Sequence, residues 1–498
     1  MDSPRSAGIL LHITSLPSKY GVGTLGQSAY DFIDWLAGAG MKIWQVLPLV
    51  PTNYGDSPYQ SVSSTALNYY LIDFAILTAK GLLNKKDYDG VNFGENKNKV
   101  DFSLLFAEKV KILKLAFEKF NINDKSFKDF VNKGDYKDFA VFMTIKSLHN
   151  YVAWNLWDDK YKTYSKLLEE EVINNFNSDY LFWVWTQYEF LDEWNNLHKY
   201  AKEKNIEIMG DMPLYVAYDS VEVWKYPQLF VLKENKEPKF VAGCPPDDFS
   251  VDGQLWGNPI YDWQYMKDNN YVWWNDRINK AFELYDILRI DHFRGFDRYY
   301  EISASETTAR YGKWVDGPKF DLFKDKLNLK IIAEDLGFID EGVKSLLKST
   351  NYPGMKILEF ALDGDSTNEH KPSNCTNNYV IYTGTHDNMP FYQYLLDLNP
   401  YSLDIAINDI EKECNLLNVK VRKSNLKELT KTVVELAFAS KPNMCIIPMQ
   451  DLLCQDGESR MNLPSTVSTN NWSYRISKRQ LNVSLAKRLL ALVEKYNR

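Results

Sequence analysis

The segment Leu288–Gly295, LRIDHFRG, places four ionisable side chains close behind an apolar run. They are Arg289, Asp291, His292 and Arg294, within six consecutive positions. Charges inside a protein are costly unless they are paired, so this segment needs a reason to carry them. Side chains alternate along a strand, which puts Arg289 and Asp291 on one face and His292 on the other. A guanidinium beside Asp291 would keep that carboxylate ionised, as a nucleophile or an electrostatic stabiliser requires.

Glu334 is the second carboxyl group that the sequence offers for chemistry. It follows the apolar run LKII, in the segment AEDLG. An apolar setting raises the pKa of a carboxyl group and favours its proton-donating form. An ionised Asp291 and a protonated Glu334 would together supply the two carboxyl groups that glycoside chemistry requires.

A metal site is the competing interpretation of the same region. The possible ligands are Asp291, His292, Glu334, His386 and Asp387. In each Asp–His neighbour pair, however, a regular strand lets only one member face the centre of the fold, and the sequence has no HxH or HExxH motif. The segment DDFSVDG from Asp247 begins like a calcium loop, but Pro259 stands where a bidentate Glu would be needed. We therefore expect no catalytic metal.

Eight short apolar runs, each ending in polar or Gly/Pro-rich residues, predict the strands that position these side chains. They are GILLHITSLP from Gly8, KIWQVLPL from Lys42, IEIMGDMPLYV from Ile206, DILRIDHF from Asp286, LKIIAEDLG from Leu329, MKILEFAL from Met355, YVIYTGTHDN from Tyr379 and MCIIPMQDLL from Met444. Helical patterns lie between several of them, and this alternation predicts a (β/α)8 TIM barrel. A doubly wound open sheet is the alternative, although no GxGxxG follows the first strand.

In a TIM barrel the chemistry gathers at the carboxyl ends of the strands. Acidic residues stand at four of the predicted ends, namely Asp211, Asp291, Glu334 and Asp387, the last preceded by His386. Helix N-capping is the structural alternative for one or two acidic residues at these ends, Asp335 in particular, but Glu is a weak N-cap.

Two intervals are longer than a barrel repeat needs. Residues 75–179 are rich in Lys and Glu and predict a mainly helical insertion after the second strand. Residues 224–274 predict an irregular insertion whose loop covers the active site. We therefore expect a single catalytic barrel over residues 1–498 that carries these two insertions.

Composition and charge argue against several classes of binding partner and indicate the compartment. The net charge is −8 and the isoelectric point about 5.5, which disfavours binding of nucleic acid. Five cysteines without a CxxC motif argue against a disulfide framework or a cysteine zinc site. No apolar stretch approaches the length of a membrane span, and no signal peptide is evident. Composition therefore predicts a cytoplasmic protein.

The motifs RIDHFRG, AEDLG and GTHDN, in this order on predicted strand ends, resemble those of the 4-α-glucanotransferases, or amylomaltases, of the α-amylase clan. CPPDDFSVDGQLWGNPIYDW and SRMNLPSTVSTNNWSYR extend the resemblance over nearly the whole chain. It implies a retaining transfer of α-1,4-glucan segments from a maltooligosaccharide to the 4-OH of an acceptor glucan or glucose. It implies no metal and no organic cofactor.

The resemblance also implies individual roles. Asp291 would be the nucleophile, Glu334 the general acid and then the base, and Asp387 the carboxylate that holds and distorts the donor sugar. Substrate-binding roles would fall to Tyr59, Asp211, Gln254, Trp256, Asn258, Arg289, His386 and Asn462, with Asp363 as a weaker candidate. A retaining mechanism predicts that the two catalytic carboxyl groups lie about 5–5.5 Å apart. An α-amylase-like hydrolase and a glucan-binding protein without activity are the alternatives, and the oligomeric state is not predicted.

Overall fold

A computed structural model of the protein describes residues 4–53, 55–246 and 251–498. The strands in these ranges are β1 Ser6–Leu10, β2 Ile43–Gln45, β3 Glu207–Met212, β4 Phe240–Cys244, β5 Gln254–Pro259, β6 Ile287–Ile290, β7 Arg298–Ser303, β8 Lys313–Asp316, β9 Ile331–Ala333, β10 Gly354–Ile357, β11 Tyr379–Tyr382 and β12 Met444–Pro448. The α-helices are α1 Gln27–Gly38, α2 Phe74–Ala79, α3 Phe102–Lys119, α4 Lys125–Lys133, α5 Lys137–Leu148, α6 Asp159–Lys162, α7 Lys166–Asn175, α8 Asn177–Glu203, α9 Val221–Lys225, α10 Trp263–Asp268, α11 Val272–Leu284, α12 Glu341–Thr350, α13 Phe391–Asp397, α14 Pro400–Leu417, α15 Leu426–Ala439, α16 Met449–Leu452 and α17 Val483–Tyr496.

Eight parallel strands form a nearly closed barrel in the order β10–β11–β12–β1–β2–β3–β6–β9. The backbone N–H of Ala333 donates to the carbonyl of Pro353 (2.8 Å), which joins the two ends of this order. Each of the eight predicted apolar runs contains one barrel strand, so the predicted TIM barrel is confirmed and the open doubly wound sheet is wrong. Parallel strands are covered on both faces, which explains their near-continuous apolar pattern.

Seven helices, α2 to α8, lie between β2 and β3 in the described part of the chain. The long helix α8 contacts α1 and β3, so it also forms part of the wall around the barrel. Helix α8 also packs against four other helices that lie between β2 and β3, namely α3, α4, α5 and α7. Treating residues 75–179 as an inserted subdomain stays our interpretation. No helix within the described ranges is long and apolar enough to cross a membrane.

Residues 224–274 are more regular than we expected. Strands β4 and β5 within them pair with each other and, through β4, with β7 and β8, giving an antiparallel sheet in the order β5–β4–β7–β8. Its small apolar cluster consists of Val241, Tyr300, Ile302 and Ala309. Strand β5 therefore carries its side chains on a paired strand rather than on an irregular loop.

Candidate active site

Arg289 joins the ends of strands β3 and β6. Its side chain is buried, and Nη1 donates to both carboxylate oxygens of Asp211 (2.8 and 2.7 Å). Its Nη2 lies 3.0 Å from Oδ1 of Asp291. Burial alone would lower the pKa of Arg289, but the carboxylates of Asp211 and Asp291 outweigh burial and raise this pKa well above its usual value. One guanidinium thus pairs with two carboxylates, and this pairing offsets the cost of burying charged side chains at the end of β6.

Glu334 lies directly after β9, where two backbone N–H groups hold its carboxyl group. Oε2 accepts from the N–H of His292 (2.7 Å) and Oε1 from that of Leu336 (2.9 Å). Burial, and then the charge of Asp291, raises the pKa of Glu334 to about 8, although Arg289 and the two N–H groups act in the opposite direction. Glu334 therefore keeps its proton at neutral pH, as a proton donor requires.

An aromatic wall stands beside these carboxyl groups. Tyr59 donates its hydroxyl to Oδ2 of Asp211 (2.7 Å), and its ring stacks on His386 with the ring centres 5.1 Å apart. Trp472 lies against both rings, at centre distances of 5.6 and 5.9 Å. Trp472 was not among the residues predicted from the sequence, although the NNWSYR segment that contributed to the resemblance contains it. A wall of this kind is suited to one face of a sugar ring.

Asp387 lies on the loop after β11, and a segment near the C-terminus holds it in place. Asn462 donates from Nδ2 to Oδ1 of Asp387 (2.7 Å). Arg460 donates from Nη2 to the carbonyl of Asp387 (2.5 Å) and from Nε to the carbonyl of Asn462 (2.7 Å). Arg460 was not predicted to matter, although it belongs to the SRMN motif. Arg460 therefore links the backbones of Asp387 and Asn462, whose side chains are hydrogen-bonded to each other.

Both Asp–His pairs lie beyond the regular strands, since β6 ends at Ile290 and β11 at Tyr382. The alternation of side chains along a regular strand therefore does not decide which member of each pair faces the site. Nε2 of His386 lies 3.4 Å from Oδ1 of Asp387. His292 has a left-handed backbone (φ 51°), which directs its N–H to Glu334 and its ring against Trp256.

The residues that β5 contributes differ in their accessibility and in the hydrogen bonds that their polar side chains make within the protein. Asn258 is buried and donates to the carbonyl of Val216 (2.8 Å), while Gln60 donates to its side-chain oxygen (2.9 Å). Asn258 thereby fastens β5 to the barrel. Trp256 donates to the side-chain oxygen of Gln254 (3.0 Å), and both side chains stay partly accessible.

Asp335 is not the helix cap that the sequence suggested, and a substrate-binding role of Asp363 stays a prediction. Asp335 does not cap a helix: its Oδ1 accepts from the N–H of Met355 on β10 (2.6 Å), whereas Asp340 caps α12. Asp363 lies in an exposed turn, where it accepts from the N–H of Asp365 and from the side chain of Asn368.

In the part of the chain that the structure describes, no three His, Cys, Asp or Glu side chains lie close enough together to hold a metal ion. The segment that begins like a calcium loop starts at Asp247 and Asp248, which lie outside the described residues.

Comparison with known proteins shows to which family the chain belongs. Residues 11–481 match a family model described as 4-alpha-glucanotransferase. The chain belongs to the 4-alpha-glucanotransferase family. The 4-alpha-glucanotransferase of Clostridium butyricum is 44% identical over 496 residues, which cover 98% of this chain and all of that protein. That of Streptococcus pneumoniae serotype 4 is 42% identical over 506 residues, covering 99% and 97%.

A solved structure agrees with these sequence relatives. The amylomaltase from Streptococcus agalactiae, in complex with acarbose, is 40% identical to this glucanotransferase, with a TM-score of 0.93 and 99% of each chain covered. The predicted family and its transferase activity are thereby confirmed. The roles of Asp291, Glu334 and Asp387 and of the substrate-binding residues stay predictions.

We expect Arg460→Met to lower kcat for maltotriose about 100-fold, because a small displacement of a positioned group costs about that much. Arg475→Met is the control, since Arg475 is a buried arginine of the same segment and donates instead to the carbonyls of Leu16 and Ser18. Initial rates over a range of maltotriose concentrations measure both. Equal losses in the two variants would show that Arg460 supports only the fold.

Proposed function

We propose that this glucanotransferase moves α-1,4-glucan segments from a donor maltooligosaccharide to the 4-OH of an acceptor glucan or glucose by a retaining double displacement. One observation carries the proposal: two carboxyl groups that follow neighbouring strands have different surroundings. Asp291 is paired with Arg289, and the pKa of Glu334 is raised to about 8. Environments that separate two carboxyl groups in this way assign the nucleophile and the acid.

In the first step Asp291 attacks C1 of the donor glucose while Glu334 gives its proton to the leaving oxygen. The glycosidic bond breaks and an ester between C1 and Asp291 forms. In the second step the 4-OH of the acceptor attacks C1, Glu334 takes the hydroxyl proton and the ester bond breaks. Two inversions leave the anomeric configuration unchanged. The spacing of about 5–5.5 Å that this chemistry requires between the two carboxyl groups stays a prediction.

The donor sugar would lie against the aromatic wall. Tyr59 would stack beneath its ring, and Asp211 and His386, which contact Tyr59, would bind its hydroxyl groups. Asp387 and Asn462 would hold the hydroxyl groups on the other side and favour a distorted ring. The acarbose bound to the Streptococcus agalactiae amylomaltase supports an oligosaccharide ligand.

Strand β5 would complete the cleft. Trp256 and Gln254, with Asn258 fixing their strand, would contact glucose units near the cleaved bond and limit the access of water. Exclusion of water favours a sugar acceptor over hydrolysis. We also assign the enzyme to the cytoplasm, because an odd number of cysteines without CxxC suits a reducing compartment. The proposed mechanism needs no metal or organic cofactor.

Incubation with maltotriose alone tests transfer against hydrolysis. Each transfer breaks one glycosidic bond and forms another, so we expect glucose and a ladder of longer maltooligosaccharides at a constant number of reducing ends. Chromatography of the products and a reducing-end assay on the same samples measure both quantities. A rising number of reducing ends with only glucose and maltose would make the protein a hydrolase instead.

A further inference from the structure

Phe338 is an exposed aromatic residue on the loop that follows Glu334. The residue is 68% exposed. Single exposed apolar residues are common on proteins and need no explanation by themselves. What distinguishes Phe338 is its place at the carboxyl ends of the barrel strands and the contacts that hold it there.

A buried arginine holds this loop. Arg294 donates from Nη1 to the carbonyl of Phe338 (2.8 Å) and from Nη2 to Oδ2 of Asp340 (3.2 Å). Its guanidinium carbon also lies 3.8 Å from the ring centre of Trp314 and 5.7 Å from that of Phe338. Such contacts between a cation and aromatic rings are favourable. The backbone of Phe338 is thus held by a buried side chain, while most of the surface of its ring is accessible.

The same contacts connect Phe338 to the proposed acid and nucleophile. Arg294 follows Asp291 by three positions, and Phe338 follows Glu334 by four. The N–H of Phe293 donates to the carbonyl of Glu334 (3.0 Å), so the two loops are hydrogen-bonded to each other. Any movement of Phe338 would therefore be shared with the backbone that holds Glu334.

The chemistry of transfer indicates which sugar would meet this ring. The acid protonates the oxygen that links the donor glucose to the next unit, so the departing sugar and the incoming acceptor both lie on the side of Glu334. Tyr59, His386 and Trp472 form the aromatic wall at Asp211 and Asp387 instead. Aromatic faces are suited to the C–H faces of sugar rings, and a ring on a backbone that is already held loses less entropy on binding.

We propose that Phe338, supported by Arg294 and Trp314, stacks against a glucose unit of the acceptor and selects sugar over water in the second step. The inference rests on the proposed role of Glu334 and names an acceptor-binding residue for the same reaction. With a donor that places no sugar on this side, Phe338 contributes to deglycosylation and leaves formation of the glycosyl-enzyme unchanged.

The test uses α-maltosyl fluoride as donor, because this donor places no sugar on the acceptor side. The first-turnover burst of fluoride without acceptor reports formation of the glycosyl-enzyme. Stimulation of the later, steady release by added glucose or maltose gives the apparent KM of the acceptor. For Phe338→Ala we expect an acceptor KM about tenfold higher, the size expected for loss of one aromatic contact. We expect the rate of the fluoride burst without acceptor to stay within about twofold of wild type, and Phe338→Tyr to restore the acceptor KM.

Tyr401→Ala is the matched control, since Tyr401 is a similarly exposed aromatic residue on α14. It should change neither quantity. An unchanged acceptor KM in Phe338→Ala would overturn the inference, and so would a tenfold slower fluoride burst without acceptor. If the wild-type enzyme transfers nothing to glucose or maltose, the proposed function itself fails rather than the role of Phe338.

Discussion

Replacing Asp291 with Asn should lower kcat/KM for maltotriose by about 10⁴-fold or more, because an amide cannot form the glycosyl ester. The substitution keeps the size of the side chain, and Arg289 keeps its two contacts with Asp211. The fold should therefore survive. Initial rates with maltotriose and thermal unfolding of the same preparation measure the two effects separately.

The control for this result is Asp404→Asn, which removes a carboxylate from an exposed position on α14. It should leave the rate close to that of wild type. An Asp291→Asn variant that folds and keeps more than about one hundredth of the wild-type activity would show that another group attacks C1, since loss of a nucleophile costs far more than that.

Replacing Glu334 with Gln should remove the alkaline limb of the pH–rate profile. In wild type, kcat/KM for maltotriose should fall as the pH rises through about 8, because Glu334 then loses the proton that it must donate. The Gln variant cannot donate such a proton, so we expect a loss of about 10²–10⁴-fold at neutral pH and no limb near pH 8. With α-maltosyl fluoride the first step should suffer much less, because fluoride leaves without a proton.

The structure offers a matched control in Glu359. This carboxyl group lies in the turn after β10, and burial raises its pKa to about 8 as well. Glu359→Gln should preserve the alkaline limb, because no proposed step uses Glu359. If the alkaline limb persists in Glu334→Gln and disappears in Glu359→Gln, the titrating group is Glu359 and the assignment to Glu334 is wrong.

The barrel could be predicted because its strands are covered on both faces and therefore appear as separate apolar runs. The second sheet could not. Strand β5 is only partly buried, and the short apolar strand β4 pairs with β7, which lies beyond β6 in the chain, so local patterns do not reveal the sheet. Residues 224–274 consequently looked irregular.

The catalytic candidates followed from residue types at strand ends, whereas the contacts that tune them did not. We expected Arg289 to face Asp291, but its two shorter hydrogen bonds go to Asp211 on a different strand. Trp472 meets Tyr59 from the opposite end of the chain, and Arg460 acts on a carbonyl rather than on a side chain. Contacts of this kind depend on the folded topology and have no signature in local spacing.

Trapping the covalent intermediate tests the central claim most directly. Glu334→Gln would be mixed with α-maltosyl fluoride without acceptor, quenched rapidly, digested and examined by peptide mass spectrometry. We expect one maltosyl group on the peptide that contains Asp291, and its slow loss when glucose is added, because the variant lacks the base that takes the acceptor's proton. Fluoride release without any adduct, or an adduct on a different residue, would contradict the assignment of Asp291 as the nucleophile.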